Sequence, residues 1–517
     1  MASPRWLNAL TKAASLPENK GQNVYQLATV DANVMPHVRT VVHRDILHPS
    51  GFPNLPIMLT TTDIRTSKVT QLRANAHAEL AWWMAGSQDQ FRVSGPARVI
   101  SSPMPDAKSG DTSEDTPAFD KMREQGFDWE QKRLAVFDSM SAHMKATWCR
   151  PPPGSAMDSY DDAKKWPKTV PKLGEAVSDE DKRNQAQALG NFALVLVEAV
   201  EVDWVQLGVK PNQRTRFTRK DEEWVEQIVV PTTRGVYCTR DVLPPSTRRV
   251  AIQMLGERAA QSVLDVRTAS EILLLAARCC ITAHFMMTSP RWLDTLTKAL
   301  SLPENKGQIT YQLGTVDANG RPHVRIVGHR EVLQPSGFPN LPILCATTDV
   351  RSPKVTELRA NAYAELSWWI SGSRDQYRIS GPVRIISSLK SDAESASTSD
   401  ETLALDKMRE QGFDWEQKRR DAFDALGERW KATWCCPPPG SPMKSYEVAS
   451  TWPQIVPKLG EAASDEDKRI HEEALGNFAL LLIEAVEVDW VQVGEKPNRR
   501  TRFTRKGEEW VEQIVVP

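Results

Sequence analysis

The sequence predicts a mainly β (α+β) protein built from two copies of one barrel-like module, each with helical additions. Three observations carry this. First, the chain repeats itself. Arg5-Trp6-Leu7 returns as Arg291-Trp292-Leu293, Pro36-His37-Val38-Arg39 as Pro322-His323-Val324-Arg325, and Asp203-Trp204-Val205-Gln206 as Asp489-Trp490-Val491-Gln492. Every pair keeps the same offset of 286 positions, so residues 1–231 and 287–517 share one fold, and 232–286 has no counterpart. A repeat of this length is a duplicated domain rather than a solenoid unit of ~20–50 residues. Second, runs of β-forming residues alternate with Asn, Gly and charged turns. Third, each copy is long enough to bury a core of its own.

The elements follow in order. Ser3-Pro4 before Trp6, Leu7 and Leu10 reads as an N-capped helix with proline at its first position. Val24–Val30 and His37–Arg44, around the Asp31-Ala32-Asn33 turn, read as a hairpin. A strand over Ile57–Thr61 leads through Asp63–Lys68 into a helix carrying Val69, Leu72 and Ala76. Ala78–Trp83 and Gln90–Val99 are strand-like, and Ser94-Gly95-Pro96 marks a bulge or a bend at a barrel corner. Residues 101–118 read as a loop and 119–148 as a helix stopped by Pro151-Pro152-Pro153-Gly154. An apolar run over Asn191–Trp204 and a hairpin, Thr215–Arg219 and Trp224–Val229, close the module.

Bulk properties narrow the function. Lys plus Arg is 65 and Asp plus Glu is 66, a balance that gives no support for a nucleic-acid partner. Seven scattered cysteines without zinc spacing point to a reducing compartment, and the first twenty residues lack a signal-peptide core, so a cytoplasmic location is expected. The segment 232–286 is rich in Arg and holds Cys238, Cys279 and Cys280. It reads equally as an ordinary linker or as a fusion-derived stretch, because Met287 stands at the repeat position of Met1. Its apolar end, Glu271–Met287, carries Arg278 and His284 and is too short and polar for a membrane span.

Some residues carry chemistry. Arg39 and Arg44 share a strand five positions apart, so strict alternation projects them to opposite faces. Thr61, Thr62, Arg65, Thr66, Ser67 and Lys68 concentrate hydroxyls and cations where a strand meets a helix N-terminus. That combination suits a phosphate, and it equally suits ordinary helix capping. Trp82, Trp83, Trp148 and Trp224 read as packing residues, and His37 and His43 as structural. Cys149, Cys345 and Cys435 have no basic neighbour that marks a nucleophile. No Ser/His/Asp order, Walker loop, metal spacing or dinucleotide fingerprint appears.

The order of Leu27-Ala28-Thr29-Val30-Asp31, Pro36-His37-x-Arg39, the Thr61–Lys68 junction, Gln90-x-Arg92-Val93-x-Gly95, Trp204, and Arg216-Phe217 before Trp224 resembles the pyridoxamine 5'-phosphate oxidase family, and within it the Alr-type FMN-binding subfamily. The resemblance covers nearly all of each copy and leaves out 232–286. It implies a pair of FMN-binding split barrels, with FMN held between them by residues of both. Arg39, Arg44, Thr61, Thr62 and Lys68 would hold FMN from one barrel; Gln90, Trp204 and Arg216 would touch the ring from the partner. The family's Arg before the phosphate-binding Lys is Ser67 here and Pro353 in copy two, and Arg65 and Arg351 are expected to compensate. The second-copy set is Arg325, Arg330, Thr347, Thr348, Arg351, Lys354, Gln376, Trp490 and Arg502.

One departure bears on substrate. The family's Arg-Leu-His-Asp-Arg motif stands here as Asn212-Gln213-Arg214-Thr215-Arg216, and as Asn498-Arg499-Arg500-Thr501-Arg502 in copy two. The flavin-facing Arg survives and the pyridoxamine-phosphate reader does not. The expectation is a flavin-dependent oxidoreductase acting on an unidentified small molecule. The alternatives are a flavin-binding protein without turnover and a cofactor-free dimerisation module. The copies are expected to pair within one chain, or between chains as a homodimer. A flexible segment of the length of 232–286 spans roughly 40 Å, enough for pairing within the chain.

Overall fold

The computed structural model describes residues 2–102, 116–231, 288–388, 402–458 and 460–517. The stretch between the copies and most of the loop expected over 101–118 lie outside the described residues, as do Cys238, Cys279 and Cys280.

Each copy is a closed six-stranded antiparallel barrel with a three-stranded extension. In copy one the barrel strands are β1 (Val24–Val30), β2 (Pro36–Leu47), β3 (Ile57–Asp63), β4 (His77–Met84), β5 (Asp89–Ile100) and β6 (Phe192–Glu198). They run in the order β4-β1-β2-β3-β6-β5, and β4 closes on β5. β7 (Glu201–Gln206), β8 (Gln213–Lys220) and β9 (Glu223–Ile228) continue from β5. Copy two repeats this with β10 (Thr310–Val316), β11 (Pro322–Leu333), β12 (Ile343–Asp349), β13 (Tyr363–Ile370), β14 (Asp375–Ile386), β15 (Phe478–Glu484), β16 (Glu487–Gln492), β17 (Arg499–Lys506) and β18 (Glu509–Ile514).

The corner expected at Ser94-Gly95-Pro96 is present. β5 pairs with β7 up to Ser94 and with β6 from Ala97, so the strand changes partner across Gly95-Pro96. A Cβ at Gly95 would collide with the Glu198 carbonyl oxygen, so only glycine admits this approach. A second change of partner occurs in β2, which pairs with β1 through Val42 and with β3 from His43, with a bulge between His43 and Asp45.

Two cores flank the barrel wall of each copy. Inside it, α1 (Arg5–Ser15) sets Trp6 and Leu10, and α2 (Ser67–Ala74) sets Leu72, in one core with Tyr25, Leu27, Trp82, Phe91 and Val195. Outside it, Phe192, Leu194 and Leu196 of β6 pack on Phe119, Phe137 and Trp148. With both faces covered, every residue of β6 is buried, which explains its unbroken apolar sequence. Tryptophan 82 and Trp148 are core residues whose indole N–H groups donate to the Gln22 and Thr62 carbonyls.

Two expectations are corrected, and a third segment gains its elements. Proline 4 is itself the N-cap of α1, and no side chain caps that end. The helix expected over 119–148 is broken into α3 (Pro117–Glu124), α4 (Trp129–Asp138) and α5 (Ala142–Ala146). Gly126 at φ +66° ends the first, and Asp128 and Ser141 cap the next two by accepting from the Gln131 and Met144 N–H groups. The run over Asn191–Trp204 is two strands preceded by α6 (Asp179–Asn191), which Ser178 and Asp181 start with a reciprocal capping box.

The two barrels pack against each other through β1, β2 and β4 and their repeats. Ala28, Val38, Ala81 and Val324 form a small buried cluster at the seam. Gly314, the repeat of Ala28, has no room for a Cβ against Val38. The last strand of each copy ends against a loop of the other. Gly154 and Met157 donate backbone N–H groups to the Val516 and Ile514 carbonyls, and Gly440 and Met443 do the same to Val230 and Ile228.

Candidate functional site

The seam creates a cavity of about 230 Å³ with walls from both copies. Copy two supplies Arg325, Arg330, Thr347, Thr348 and Lys354; copy one supplies Gln90 and Arg216. Seven of the residues singled out from sequence therefore meet in one place.

Arg325 and Arg330 both line the cavity, as do the four residues between them. Arg44 sits within the bulge between His43 and Asp45, where one extra residue resets the alternation. Arg330 occupies the same place between His329 and Glu331. There its Nε donates to Thr347 Oγ1 at 3.4 Å, as Arg44 does to Thr61. Arg325 donates to Thr315 Oγ1 and, at 2.7 Å, to Glu357 Oε2; Arg39 donates to Thr29 Oγ1 at 2.5 Å and Gln71 Oε1 at 2.8 Å.

At the strand-to-helix junction, Lys354 Nζ donates to Thr348 Oγ1 at 2.9 Å and Ser352 Oγ at 3.1 Å. Lys68 repeats this with Thr62 at 2.8 Å and Thr66 at 3.5 Å. Both ammonium groups meet hydroxyls and have no ion-pair partner among the described residues. Burial, and then the nearby Arg39, Arg378 and Arg500, press Lys68 down to about 7; burial and Arg325 press Lys354 down to about 8. A cation crowded by other cations and withdrawn from water is stabilised by an arriving anion.

Arg65 and Arg351 are not brought to this cavity. Arg65 makes a bidentate pair with Asp63 at 2.9 and 2.6 Å and donates to the Arg150 carbonyl at 3.0 Å. Arg351 does the same with Asp349 and the Cys436 carbonyl. Each ties the junction to the helical layer. Trp204 also points elsewhere: Asp203 and Val205 line the cavity, so the residue between them faces away. It stacks on Phe91 at 5.6 Å, under the Arg5 guanidinium, and donates to Asp89. Trp490 repeats this with Tyr377, Arg291 and Asp375.

Several lining residues were not singled out from sequence. Trp430, with the Arg330 guanidinium 5.2 Å above its ring, lies in a segment whose folding has no local signature. Gly328 lies in β11 with no turn signal around it. Arg214, where the family motif has its His, is held by Asp203 at 2.8 and 2.5 Å and cannot swing out freely. His43 packs in the barrel wall: burial pushes its imidazole down to about 4, and its ring lies tilted against Trp82 with centroids 4.5 Å apart. Burial raises the Cys345 and Cys435 thiols to about 12, far from a reactive thiolate. No group of His, Cys, Asp and Glu among the described residues is placed to hold a metal. None of their helices is long and apolar enough to cross a membrane.

Comparison with known proteins bears on this arrangement. The family model described as pyridoxamine 5'-phosphate oxidase, FMN-binding domain, matches twice, at residues 3–101 and 289–387. A curated relative, pyridoxine/pyridoxamine 5'-phosphate oxidase 2 of Arabidopsis thaliana, is 29% identical over 233 residues, covering 44% of this chain and 96% of the relative. Similar solved structures include a pyridoxamine 5'-phosphate oxidase-related, FMN-binding protein of Nostoc punctiforme, at 25% identity and TM-score 0.34, covering 45% of this chain and all of that one. PhzG of Burkholderia lata, solved with tetrahydrophenazine-1-carboxylic acid, has 17% identity and TM-score 0.26, covering 50% of this chain and all of that one.

Proposed function

Starting from the membership of both halves of the chain in the pyridoxamine 5'-phosphate oxidase FMN-binding family, we propose that this protein is an FMN-dependent oxidoreductase with composite sites at the seam between its barrels. The carrying observation is the meeting of Arg325, Arg330 and Lys354 of copy two with Gln90 and Arg216 of copy one around one cavity. Lys354, Thr348 and Ser352 would receive the phosphate, since the lysine is desolvated and has only hydroxyls to donate to. Gln90 would address the ring, because its Nε2 is buried without a partner among the described residues. The pair-related site would use Arg39, Arg44, Thr61, Thr62 and Lys68 with Gln376 and Arg502.

FMN bound there would supply two-electron oxidation, so the side chains need only bind, orient and exclude water. The substrate would lie over the exposed ring face. Arg214 is already neutralised by Asp203, and Asn212 replaces the leading Arg of the family motif, which favours a substrate other than pyridoxamine 5'-phosphate.

A visible spectrum of the purified chain, with released flavin quantified, tests the cofactor. A colourless protein that takes up no added FMN would remove it. Anaerobic bleaching of bound flavin by candidate amines and alcohols then separates an oxidoreductase from a flavin-binding protein without turnover. The dimerisation-module reading draws support from the Arg325–Glu357 ion pair, which satisfies that arginine without a ligand. Lys68 and Lys354 count against it, because they lack such pairs.

A further inference from the structure

We propose that the two composite sites are inequivalent, and that the one formed by the copy-two phosphate end and the copy-one Gln90 binds FMN more tightly. This rests on the flavin reading above. The sites repeat the same strands, so each residue has a counterpart 286 positions away, and the differences fall on the cavity walls.

At the ring end, Gln90 is 8% exposed and its Nε2 has no hydrogen-bond partner among the described residues. The positions that would satisfy it are Ile326, across the seam, and Ala81. In the other site those positions are Thr40 and Ser367, and Gln376 Nε2 donates to both, to Ser367 at 3.1 Å. A second donor behaves alike. Arg214 Nη1 is buried without a partner, whereas Arg500 Nη1 donates to the Val516 carbonyl at 3.5 Å.

Space differs too. Gly328 lines the cavity, and a Cβ built there meets nothing within 4 Å, so its side-chain direction opens on free volume. Its counterpart is Val42, whose isopropyl group occupies the matching direction.

A buried donor left unsatisfied is costly, and a ligand offering an acceptor relieves that cost. The carbonyls of a flavin ring are such acceptors. In the other site Gln376 Nε2 and Arg500 Nη1 already have partners, and the buried Arg502 Nε, which makes no hydrogen bond, faces the Glu487 carboxylate in an ion pair at 3.5 Å. Binding at the ring end therefore exchanges one bond for another and must also accommodate Val42. One difference opposes this: Glu357 lines the first cavity where the other site has Gln71. Glu357 is neutralised by Arg325 at 2.7 Å, which leaves Lys354 to the phosphate, so the ring end decides.

Titration of the flavin-free full-length chain with FMN, followed by flavin fluorescence, tests this. The first equivalent should bind at least about tenfold more tightly than the second, the scale of one unmade hydrogen bond to a buried group. The double variant Ile326→Thr/Gly328→Val should weaken the first phase. The reciprocal Thr40→Ile/Val42→Gly should tighten the second, a gain that misfolding cannot produce. Two equivalents of one affinity, or phases unmoved by both swaps, would overturn inequivalence and leave the flavin reading standing. Failure to bind any FMN would overturn both.

Discussion

Glu365 of copy two accepts from the backbone N–H of Val38 in copy one at 2.7 Å, and its second oxygen lies 3.1 Å from His37 Nδ1. The carboxylate is almost fully buried and also pairs with Arg378 at 2.7 Å. Glu79 repeats the clasp in the other direction on Val324 and His323. These two carboxylates lock the seam on which both composite sites depend. Removing Glu365 leaves the Val38 backbone donor buried without its partner and Arg378 with only Asp489, at 3.4 Å, a change that costs less than the ~3–5 kcal/mol of a fully broken buried pair. Glu365→Ala should therefore lower the unfolding midpoint of the full chain clearly, and Glu365→Gln by less. A midpoint unmoved by Glu365→Ala would show that the clasp does not hold the seam.

The reciprocal clasp makes the seam sensitive to pH. Burial pulls His323 down, but hydrogen bonding and charge from Glu79 outweigh it, and the imidazole titrates above its ordinary value of about 6.5. A raised folded value means the stabilisation is complete below about pH 6.5 and is lost as pH rises through the folded value. Thermal unfolding midpoints should fall over that window, and His323→Gln should flatten the fall. A His323→Gln profile parallel to that of the parent chain would refute the assignment.

Binding of a phosphate should depend on Lys68 and Lys354. The double variant Lys68→Ala/Lys354→Ala should weaken FMN binding roughly tenfold to a hundredfold, the range for a lost hydrogen bond to a charged group. An arriving anion raises both lysines from about 7 and about 8, so binding near pH 8 should take up protons and weaken as pH rises further. Calorimetry in buffers of different ionisation enthalpy reads that uptake directly. Unchanged affinity in the double variant would sink the phosphate assignment.

Arg65 separates the two roles considered for it. Held between Asp63 and the Arg150 carbonyl, it should matter for stability and not for the ligand. Arg65→Ala should lower the unfolding midpoint while FMN affinity changes less than about threefold. A large loss of affinity at unchanged stability would restore the phosphate role expected from sequence.

Val34 is a strained turn residue. Its φ is +63°, in the left-handed region that β-branched side chains avoid, and its counterpart Gly320 sits at +76°. Val34→Gly should stabilise copy one by up to about 1 kcal/mol, the relieved strain being partly offset by the freer unfolded chain. Gly320→Val should destabilise copy two. Opposite signs in a denaturant titration would contradict this.

The duplication and the barrel strands were legible in the amino-acid order. Repeated words at a constant offset report a repeated fold, and hairpin chemistry is local. The Ser178-to-Asp181 capping box was equally local and readable, yet the helix it starts was not anticipated. The breaks at Gly126 and Asp128 also carried their signals in plain view.

Other features belong to the tertiary structure alone. A bulge at Arg44, where β2 leaves β1 for β3, has no signal in the local order. Alternation along β7 sent Trp204 under α1 while its neighbours lined the cavity. Asp63 claimed Arg65 before any ligand could. The joining of Gln90 with Lys354, or Glu79 with His323, spans hundreds of residues and two barrels. Local order sets propensity and period, which determine strands and turns. Which side chain faces which cavity depends on register, partner exchange and the packing of one barrel on another, and these are settled only when distant segments meet.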